Sequence, residues 1–356
     1  MSVTSAWETN TTINELARWL GPKRNVVVLT HTKPDGDAVG STVAIVRALN
    51  IAAGGSAAGF SGVASRAEAW YSGPLPAWFG AATGGLKTRV IESADAIPAT
   101  EPDAIVIADT GSWAQLETFD AWLRERSDRV CVIDHHLKGD PEVADRRVID
   151  ASAAAACSIV APLCVRILGA ASPSALPPEV VEPLYMGIGT DTGWFRHSNV
   201  TPDTMRLVAD LLETGIDHEA IFQRIEQQER PSRLRLLARA LASLELERDG
   251  SLAIMTLRRK DFEEAGASPG ESGGFLDIVK TVEIVRVAAL LTEAVPPDDP
   301  SAPLTKISLR SKGGPELIDV NKVAASLGGG GHAQAAGARV AADVNATKAM
   351  LLKAIP

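Results

Sequence analysis

The sequence predicts an α/β protein in which a larger N-terminal domain has a mostly parallel sheet flanked by helices and a smaller C-terminal domain is also α/β. Its 356 residues suit two domains of ordinary size. Short continuous apolar runs alternate with longer helical patterns in the first part of the chain, which is typical of a parallel sheet buried on both faces. We predict domains at residues 1–225 and 246–356, joined by a hinge or linker helix at 226–245.

Composition narrows the class of protein. The formal net charge of −9 argues against a broad basic surface that grips long duplex nucleic acid. No apolar run reaches the length of a membrane span, and the N-terminus lacks the basic and apolar regions of a signal peptide. The three cysteines have no metal-binding spacing, and their odd number argues against a disulfide framework. We therefore expect a cytoplasmic protein with no membrane contact.

The first predicted strand leads into a group of side chains with metal-binding chemistry. The apolar run Val26–Leu29 is followed by His31, Asp35 and Asp37, and then by a helical pattern. These side chains crowd the turn between the carboxyl end of a strand and a helix, where open α/β sheets place their sites. Taken alone, the stretch would equally suit an ordinary turn in which Asp37 caps the helix.

Two further apolar strands end on side chains of the same kind. One run ends at Asp109, and another, at 130–133, ends at Asp134, His135 and His136. The carboxyl ends of parallel strands lie along one edge of a sheet, so these side chains can converge. Two adjacent histidines directly after an apolar strand are hard to explain as an ordinary polar loop.

A fourth segment contributes Asp191, which lies in a Thr-Asp-Thr-Gly sequence near the end of a helix that opens at Pro178. The combined set contains imidazoles and carboxylates but no thiolate, which favours Mn²⁺, with Mg²⁺ or Co²⁺ as alternatives, over structural Zn²⁺. Six ligands are too many for one catalytic ion with an open position, but they fit two ions that share a bridging carboxylate. The six are His31, Asp35, Asp37, Asp109, His135 and Asp191.

The remaining elements of the first domain follow from capping residues and periodicity. A helix with a Thr cap is predicted at 11–20, and one or two strands with a helix within 51–100. An Ala-rich buried helix at 151–168 carries Cys157 and Cys164, which we interpret as core residues. Two more helices start at Thr201 and Asp217.

The C-terminal domain differs from the first domain in its pattern of predicted elements. Three strands and a capped helix are predicted, at 251–257, 283–293, 304–311 and 319–327. A glycine-rich loop at 328–337 follows the helix, with four consecutive glycines before His332. Glycines let backbone N–H groups point at an anion without interference from side chains. A flexible linker would have a similar composition.

The order and spacing of these motifs resemble the DHH phosphoesterase superfamily. The resemblance is carried by His31-Thr-Lys-Pro-Asp35-Gly-Asp37, the strand-end Asp109, Asp134-His135-His136 and Asp191-Thr-Gly. The stretch at 328–337, with Arg310-Ser311 before it, is similar to the associated DHHA1 domain. Together these motifs cover nearly the whole chain, and they look most like the NrnA-type group of oligoribonucleases that also act as pAp phosphatases.

The resemblance implies a role for each matched residue of the first domain. One metal ion would be held by His31, Asp35 and Asp109. The other would be held by Asp37, Asp109, His135 and Asp191, with Asp109 bridging the two. Asp134 would orient a histidine rather than bind metal, and His136 would face the phosphoryl group as a donor to its oxygens or to the leaving oxygen.

For the second domain, the resemblance implies a nucleotide-binding role for Arg310, Ser311, Gly329, Gly330, Gly331 and His332. The implied activity is hydrolysis of short 5′-phosphorylated oligoribonucleotides (pNpN, nanoRNA) to mononucleotides, and of 3′-phosphoadenosine 5′-phosphate (pAp) to AMP and phosphate, by a homodimer. A soluble phosphodiesterase acting on cyclic di-AMP or linear dinucleotides is an alternative. A catalytically silent nucleotide-binding regulator is another, although the intact ligand set argues against it.

Overall fold

The computed structural model describes residues 6–54, 66–296 and 299–356. Parts of two sequence predictions, the N-terminal residues 1–5 and residues 55–65 within 51–100, therefore lie outside the described residues. The chain divides into two compact units, Met1–Gln228 and Glu229–Pro356, and the division falls inside the segment predicted as a hinge. Each unit contains its own six-stranded sheet. No helix in the described ranges is long and apolar enough to cross a membrane.

The sheet of the first unit is parallel throughout, as predicted. Its order is β3-β2-β1-β4-β5-β6, so the strand sequence reverses direction between β1 and β4. Open α/β sheets bind their ligands beyond the carboxyl ends of the strands at such a point. The strands are β1 Val26–Leu29, β2 Ala67–Ser72, β3 Thr88–Ile91, β4 Ala104–Ala108, β5 Val130–Asp134 and β6 Arg146–Ile149.

Helices cover both faces of this sheet, because successive apolar residues of each strand point to opposite sides. Val26 and Val28 pack in the larger core with helices α2, α5 and α6, whereas Val27 and Leu29 pack on the other face. The helices are α1 Ile13–Leu20, α2 Gly36–Ala52, α3 Phe79–Thr83, α4 Asp120–Arg124, α5 Ala156–Leu168, α6 Pro178–Asp191, α7 Pro202–Glu213 and α8 His218–Glu226. The first of them has the predicted Thr cap at Thr12.

Helices α2 and α6 cross at very short range, and this contact brings two distant acidic residues together. A side chain at Gly40 would collide with the backbone of Pro183, and one at Gly36 would collide with Thr190. Glycine at these two positions therefore lets the helix backbones approach. The result is that Asp191, the last residue of α6, lies close to Asp37 in the first turn of α2.

The sheet of the second unit is mixed, with order β11-β12-β10-β9-β8-β7. Only the β8–β9 pair is parallel among the described strands of this sheet. Its strands are β7 Glu245–Glu247, β8 Leu252–Leu257, β9 Val287–Ala294, β10 Leu304–Ser311, β11 Gly330–His332 and β12 Ala335–Val340. Its helices are α9 Pro231–Ala242, α10 Arg259–Ala265, α11 Phe275–Val279, α12 Val320–Ser326 and α13 Val344–Ala354.

The prediction of a glycine loop at 328–337 was wrong in part. Gly330–His332 forms the edge strand β11, which pairs antiparallel with β12. Glycine is required there for close packing, since a side chain at Gly329 would collide with Gly337 and one at Gly331 would lie 2.5 Å from the carbonyl oxygen of Ala335. Gly331 also has φ of 151°, which other residues rarely adopt.

Candidate active site

The six predicted metal ligands come together at the carboxyl edge of the first sheet. They reach it from the segment after β1, the start of α2, the residue after β4, the residue after β5 and the end of α6. Three sets of side chains each place one ligand atom per residue within 4.8 Å of the others. The sets are His31–Asp35–Asp109, Asp37–His135–Asp191 and Asp109–His135–His136.

Asp109 lies at the centre of this cluster, between two histidines. One carboxylate oxygen, Oδ2, is 3.5 Å from Nε2 of His31, and the other, Oδ1, is 3.3 Å from Nε2 of His135. The residue has a left-handed backbone with φ of 64°, a strained conformation of the kind that clusters at functional sites. Its buried Oδ1 has no hydrogen-bond donor among the described residues. Such an orphaned carboxylate oxygen fits a bound cation.

Backbone carbonyls fix the orientation of both histidines. Nδ1 of His31 lies 2.9 Å from the carbonyl oxygen of Thr32, and Nδ1 of His135 lies 3.3 Å from that of Ala153. A ring that donates its Nδ1–H to a carbonyl has Nε2 free to bind a metal ion. Both Nε2 atoms point at Asp109. The contact of each Nδ1 with a carbonyl oxygen therefore keeps the Nε2 of the same ring in position to bind a metal ion.

The other carboxylates are held by helix ends. Asp35 caps α2 by accepting hydrogen bonds from the backbone N–H groups of Asp37 and Ala38. The carboxylate of Asp37 accepts hydrogen bonds from the N–H groups of Ala156 (2.5 Å) and Cys157 (2.9 Å) at the start of α5. Asp191 lies at the C-terminal end of α6, where the helix dipole disfavours a negative charge and favours a cation.

The charges of the cluster are not balanced by the protein alone. Burial lowers the pKa of His31, but contacts with Asp109 and Asp35 outweigh burial and raise it to about 10. Burial also lowers the pKa of His135, but contact with Asp109 outweighs burial and raises this pKa to about 9. Burial and the charge of Asp109 raise the pKa of Asp37, and burial raises that of Asp191. Excess negative charge that attracts protons in this way also attracts divalent cations, so the residues fit a metal centre.

His136 differs from the other two histidines because it is paired with a buried carboxylate. Its Nδ1–H donates to Oδ1 of Asp134 at 2.7 Å, and that same oxygen accepts the backbone N–H groups of His135 and His136. The hydrogen bond to Asp134 raises the pKa of His136. The side chain is 54% exposed, so the far side of the ring is accessible from the cleft. This arrangement suits a proton donor to a ligand in the cleft.

An open cleft of about 340 Å³ lies over these residues. Its wall also contains Thr110, Ser112, Gln115 and Lys138, which the sequence analysis did not identify. Of these residues, Lys138 could have been predicted from the sequence. It is a cation two residues after His136, and a cation suits a phosphorylated ligand. The volume of the cleft is in the range of small-molecule sites.

Five of the six predicted residues of the second unit lie in strands of its sheet, and Gly329 directly precedes β11. Arg310, Ala335 and His332 are paired across three strands, so their side chains share one face with only an alanine between the arginine and the histidine. The next row on that face contains Ser308, Gly337 and Gly330. We call these two rows the open sheet face.

The open sheet face is polar, whereas the opposite face of the same strands is packed. Ile307, Leu309 and Ala338 are buried there with the apolar side of α12. On the open sheet face His332 is exposed and Arg310 is half-buried, and Arg310 has no ion pair within the described ranges. Ser311 points away from this face and is buried, where its hydroxyl donates to the carbonyl oxygen of Lys312.

Comparisons with known proteins agree with this architecture. A family model described as "DHH family, N-terminal domain" matches residues 25–188, and one described as "DHHA1 domain" matches residues 249–355. A crystal structure of an exopolyphosphatase-related protein from Bacteroides fragilis has a TM-score of 0.78 and 22% identity, and the match covers 96% of this chain and 94% of that one. At this identity the likeness shows the fold alone.

Two curated relatives share a name that states an activity. "Bifunctional oligoribonuclease and PAP phosphatase NrnA" from Thermus thermophilus is 30% identical over 339 residues, covering 93% of this chain and 88% of the relative. The protein of the same name from Bacillus subtilis is 22% identical, with 92% of each chain covered. The family models, the extent of these matches and the cluster at the sheet edge lead to one conclusion: the chain belongs to the DHH family of phosphoesterases and carries a DHHA1 domain behind its DHH domain.

Proposed function

We propose that this protein hydrolyses short 5′-phosphorylated oligoribonucleotides to mononucleotides and pAp to AMP and phosphate, with two divalent metal ions, preferably Mn²⁺. The observation that carries the proposal is the position of Asp109 between His31 and His135, with one carboxylate oxygen directed at each. A single carboxylate shared by two groups of ligands is the arrangement expected for two-metal phosphoryl hydrolysis. The names of the relatives from T. thermophilus and B. subtilis support the choice of substrates.

Two groups of ligands would hold the ions. His31, Asp35 and Asp109 would hold one, and Asp37, Asp109, His135 and Asp191 would hold the other. When bound, such ions lower the pKa of water and neutralise charge on phosphoryl oxygens.

Side chains of the protein supply the remaining chemistry. Water adds to phosphorus and loses a proton to solvent, and the bond between phosphorus and the 3′-oxygen breaks. His136 supplies the proton that the leaving 3′-oxygen needs and regains a proton from solvent. Asp134 holds His136 by its Nδ1–H and stabilises its protonated form. The same bond breaks in both substrates, because in pNpN and in pAp the attacked phosphorus is attached to the 3′-oxygen of a nucleotide that also carries a 5′-phosphate.

The open sheet face would bind the nucleotide. Arg310 offers two nitrogens in a geometry that matches a phosphate, and His332 lies on the same row, across Ala335. Gly330 and Gly337 leave two of the three positions of the neighbouring row without side chains, so a ligand can approach the backbone there. A side chain at Gly330 would meet only Asn321, at 3.8 Å, so packing does not require glycine at this position.

Product analysis tests the proposal directly. The purified protein is incubated with pApA, pAp and cyclic di-AMP, with and without Mn²⁺, and the products are separated by chromatography. We expect AMP from pApA, and AMP with phosphate from pAp, only when Mn²⁺ is present. Turnover of cyclic di-AMP alone would replace the proposal by its phosphodiesterase alternative. Nucleotide binding by equilibrium dialysis without any turnover would favour a regulator.

Replacing Arg310 with alanine should raise KM for pApA about tenfold to 100-fold with little change in kcat, because one charge-assisted phosphate contact is lost while the proposed metal ligands and proton donor stay in place. Lys353→Ala is the matched control, since it removes an exposed cation from α13 in the same unit. Steady-state kinetics of both variants measure KM and kcat for pApA. A drop in kcat at constant KM for Arg310→Ala would contradict the assignment of this residue to binding.

Binding of Mn²⁺ should release protons and weaken as the pH falls. The pKa values of about 10 for His31 and about 9 for His135 mean that both rings carry a proton at pH 7 in the ion-free protein. A histidine must be neutral to bind a metal ion, so about two protons per chain should be released at pH 7. Titration calorimetry in buffers of different ionisation enthalpy measures this number. Equal affinity at pH 6 and pH 8 with no proton release would contradict the ligand assignment.

A further inference from the structure

The segment before α1 runs along the edge strand β6 and is fixed to it. The backbone N–H groups of Asn10 and Thr11 donate to the carbonyl oxygen of Arg147 at 3.0 and 3.3 Å. The hydroxyl of Thr9 donates to the carbonyl oxygen of Ile149, and the N–H of Ile149 donates back to that hydroxyl, both at 2.7 Å. These contacts hold the start of the segment, and with it Trp7, beside the carboxyl edge of the sheet.

The Trp7 ring occupies space that two glycines leave free. A side chain at Gly111 or at Gly139 would collide with the indole ring. Neither glycine has a left-handed backbone, so conformation does not explain why glycine is present at these positions. Both glycines lie in loops that border the active-site cleft, one next to Thr110 and the other next to Lys138. The ring therefore packs directly against both loops.

The same ring is bonded to the residue proposed as the proton donor. The indole N–H of Trp7 donates to the carbonyl oxygen of His136 at 3.1 Å. Further along, the N–H of Asp140 donates to the carbonyl oxygen of Gly111 at 2.7 Å, and its carboxylate accepts the N–H of Trp113 at 2.8 Å. Two contacts thus hold the loop from His136 to Asp140 to the loop that contains Gly111. Asp140 makes the contact at one end, and Trp7 makes it at the other.

We propose that Trp7 is a positioning residue of the active site, which holds the backbone of His136 through its indole N–H and holds the two cleft loops together through its ring. This inference rests on the proposed function, since it acts through the proton-donating role of His136. A donor displaced by about 1 Å can lose about 100-fold in rate, so a residue that fixes the backbone of the donor affects kcat without touching the substrate.

Three variants test this proposal. Trp7→Ala removes both the ring and the donor, and we expect kcat for pApA to fall about tenfold to 100-fold with KM changed less than threefold. Trp7→Phe fills part of the space without the N–H and should restore part of the rate. Trp19→Ala is the control, because Trp19 is also half-buried near the N-terminus but packs with Lys23 and Arg146 at the amino edge of the sheet. It should leave kcat unchanged.

A double-mutant cycle separates positioning from a general loss of structure. In a His136→Ala background, Trp7→Ala should have no further effect on kcat, because the group through which it acts is gone. A full additional loss in that background, or an unchanged kcat in Trp7→Ala alone, would overturn the proposal.

Hydrogen exchange of the ion-free protein gives a readout that does not depend on turnover. Amides of residues 134–140 should exchange faster in Trp7→Ala and at the wild-type rate in Trp19→Ala. Unchanged exchange in Trp7→Ala would overturn the positioning role. Faster exchange in a protein whose wild type hydrolyses none of the nucleotides would instead show that the loop contact is real and that the proposed function is wrong.

Discussion

Asp109→Asn should lower kcat for both pApA and pAp by at least about 1,000-fold. Asparagine has nearly the same shape, but it lacks the charge that Asp109 directs at both His31 and His135. Both ions would lose a ligand at once, so the loss should exceed that from any ligand that serves only one ion. Steady-state kinetics at saturating Mn²⁺ measure the effect.

The Asp109 variant should also change stability in a way that identifies the cause. Mn²⁺ at about 100 times its Kd should stabilise the wild type by about 2.7 kcal/mol, and this gain should be lost in Asp109→Asn. Asp145→Asn, at an exposed position away from the cleft, is the matched control. Retention of a tenth of the wild-type turnover by Asp109→Asn would contradict the bridging role.

His136→Ala should lower kcat for pApA about 10²–10⁴-fold while both Mn²⁺ ions still bind. The reason is that the hydrogen bond to Asp134 raises the pKa of His136, and its exposed ring can give its proton to a leaving oxygen in the cleft. The substitution should lower kcat much less for a nitrophenyl phosphodiester, because its leaving group needs no proton. Comparing the two substrates in the same variant isolates the proton-transfer step.

The geometry also defines the result that would contradict this role. Asp109, His135 and His136 place ligand atoms close together, which would allow His136 to be a metal ligand instead. In that case His136→Ala would bind fewer Mn²⁺ ions, and the nitrophenyl ester would be affected as strongly as pApA. Calorimetric stoichiometry distinguishes the two roles before any kinetic measurement.

The convergence of these side chains could be predicted from the sequence because it follows from strand direction. Parallel strands that end at Asp109 and at His135 must place those residues on one edge, and a helix cap at Asp35 places Asp37 in the first helical turn. Strand direction does not place Asp191, whose position depends on a helix crossing that Gly40 permits.

Other features depend on contacts between residues far apart in the chain. Strand β11, Gly330–His332, contains no residue with strand propensity and is a strand only because β12 pairs with it. The contact of Trp7 with Gly111 and Gly139 joins three segments whose proximity no local pattern indicates. The homodimer and the cytoplasmic location stay predictions.

In the proposed site, side chains from separate segments hold two divalent ions that share Asp109. A crystal structure with Mn²⁺, analysed by anomalous scattering, tests this most directly. We expect two peaks about 3.5–4 Å apart, one bound by His31 and Asp35, the other by His135 and Asp191, with Asp109 bound to both. A single peak, or two peaks that do not share Asp109, would contradict it.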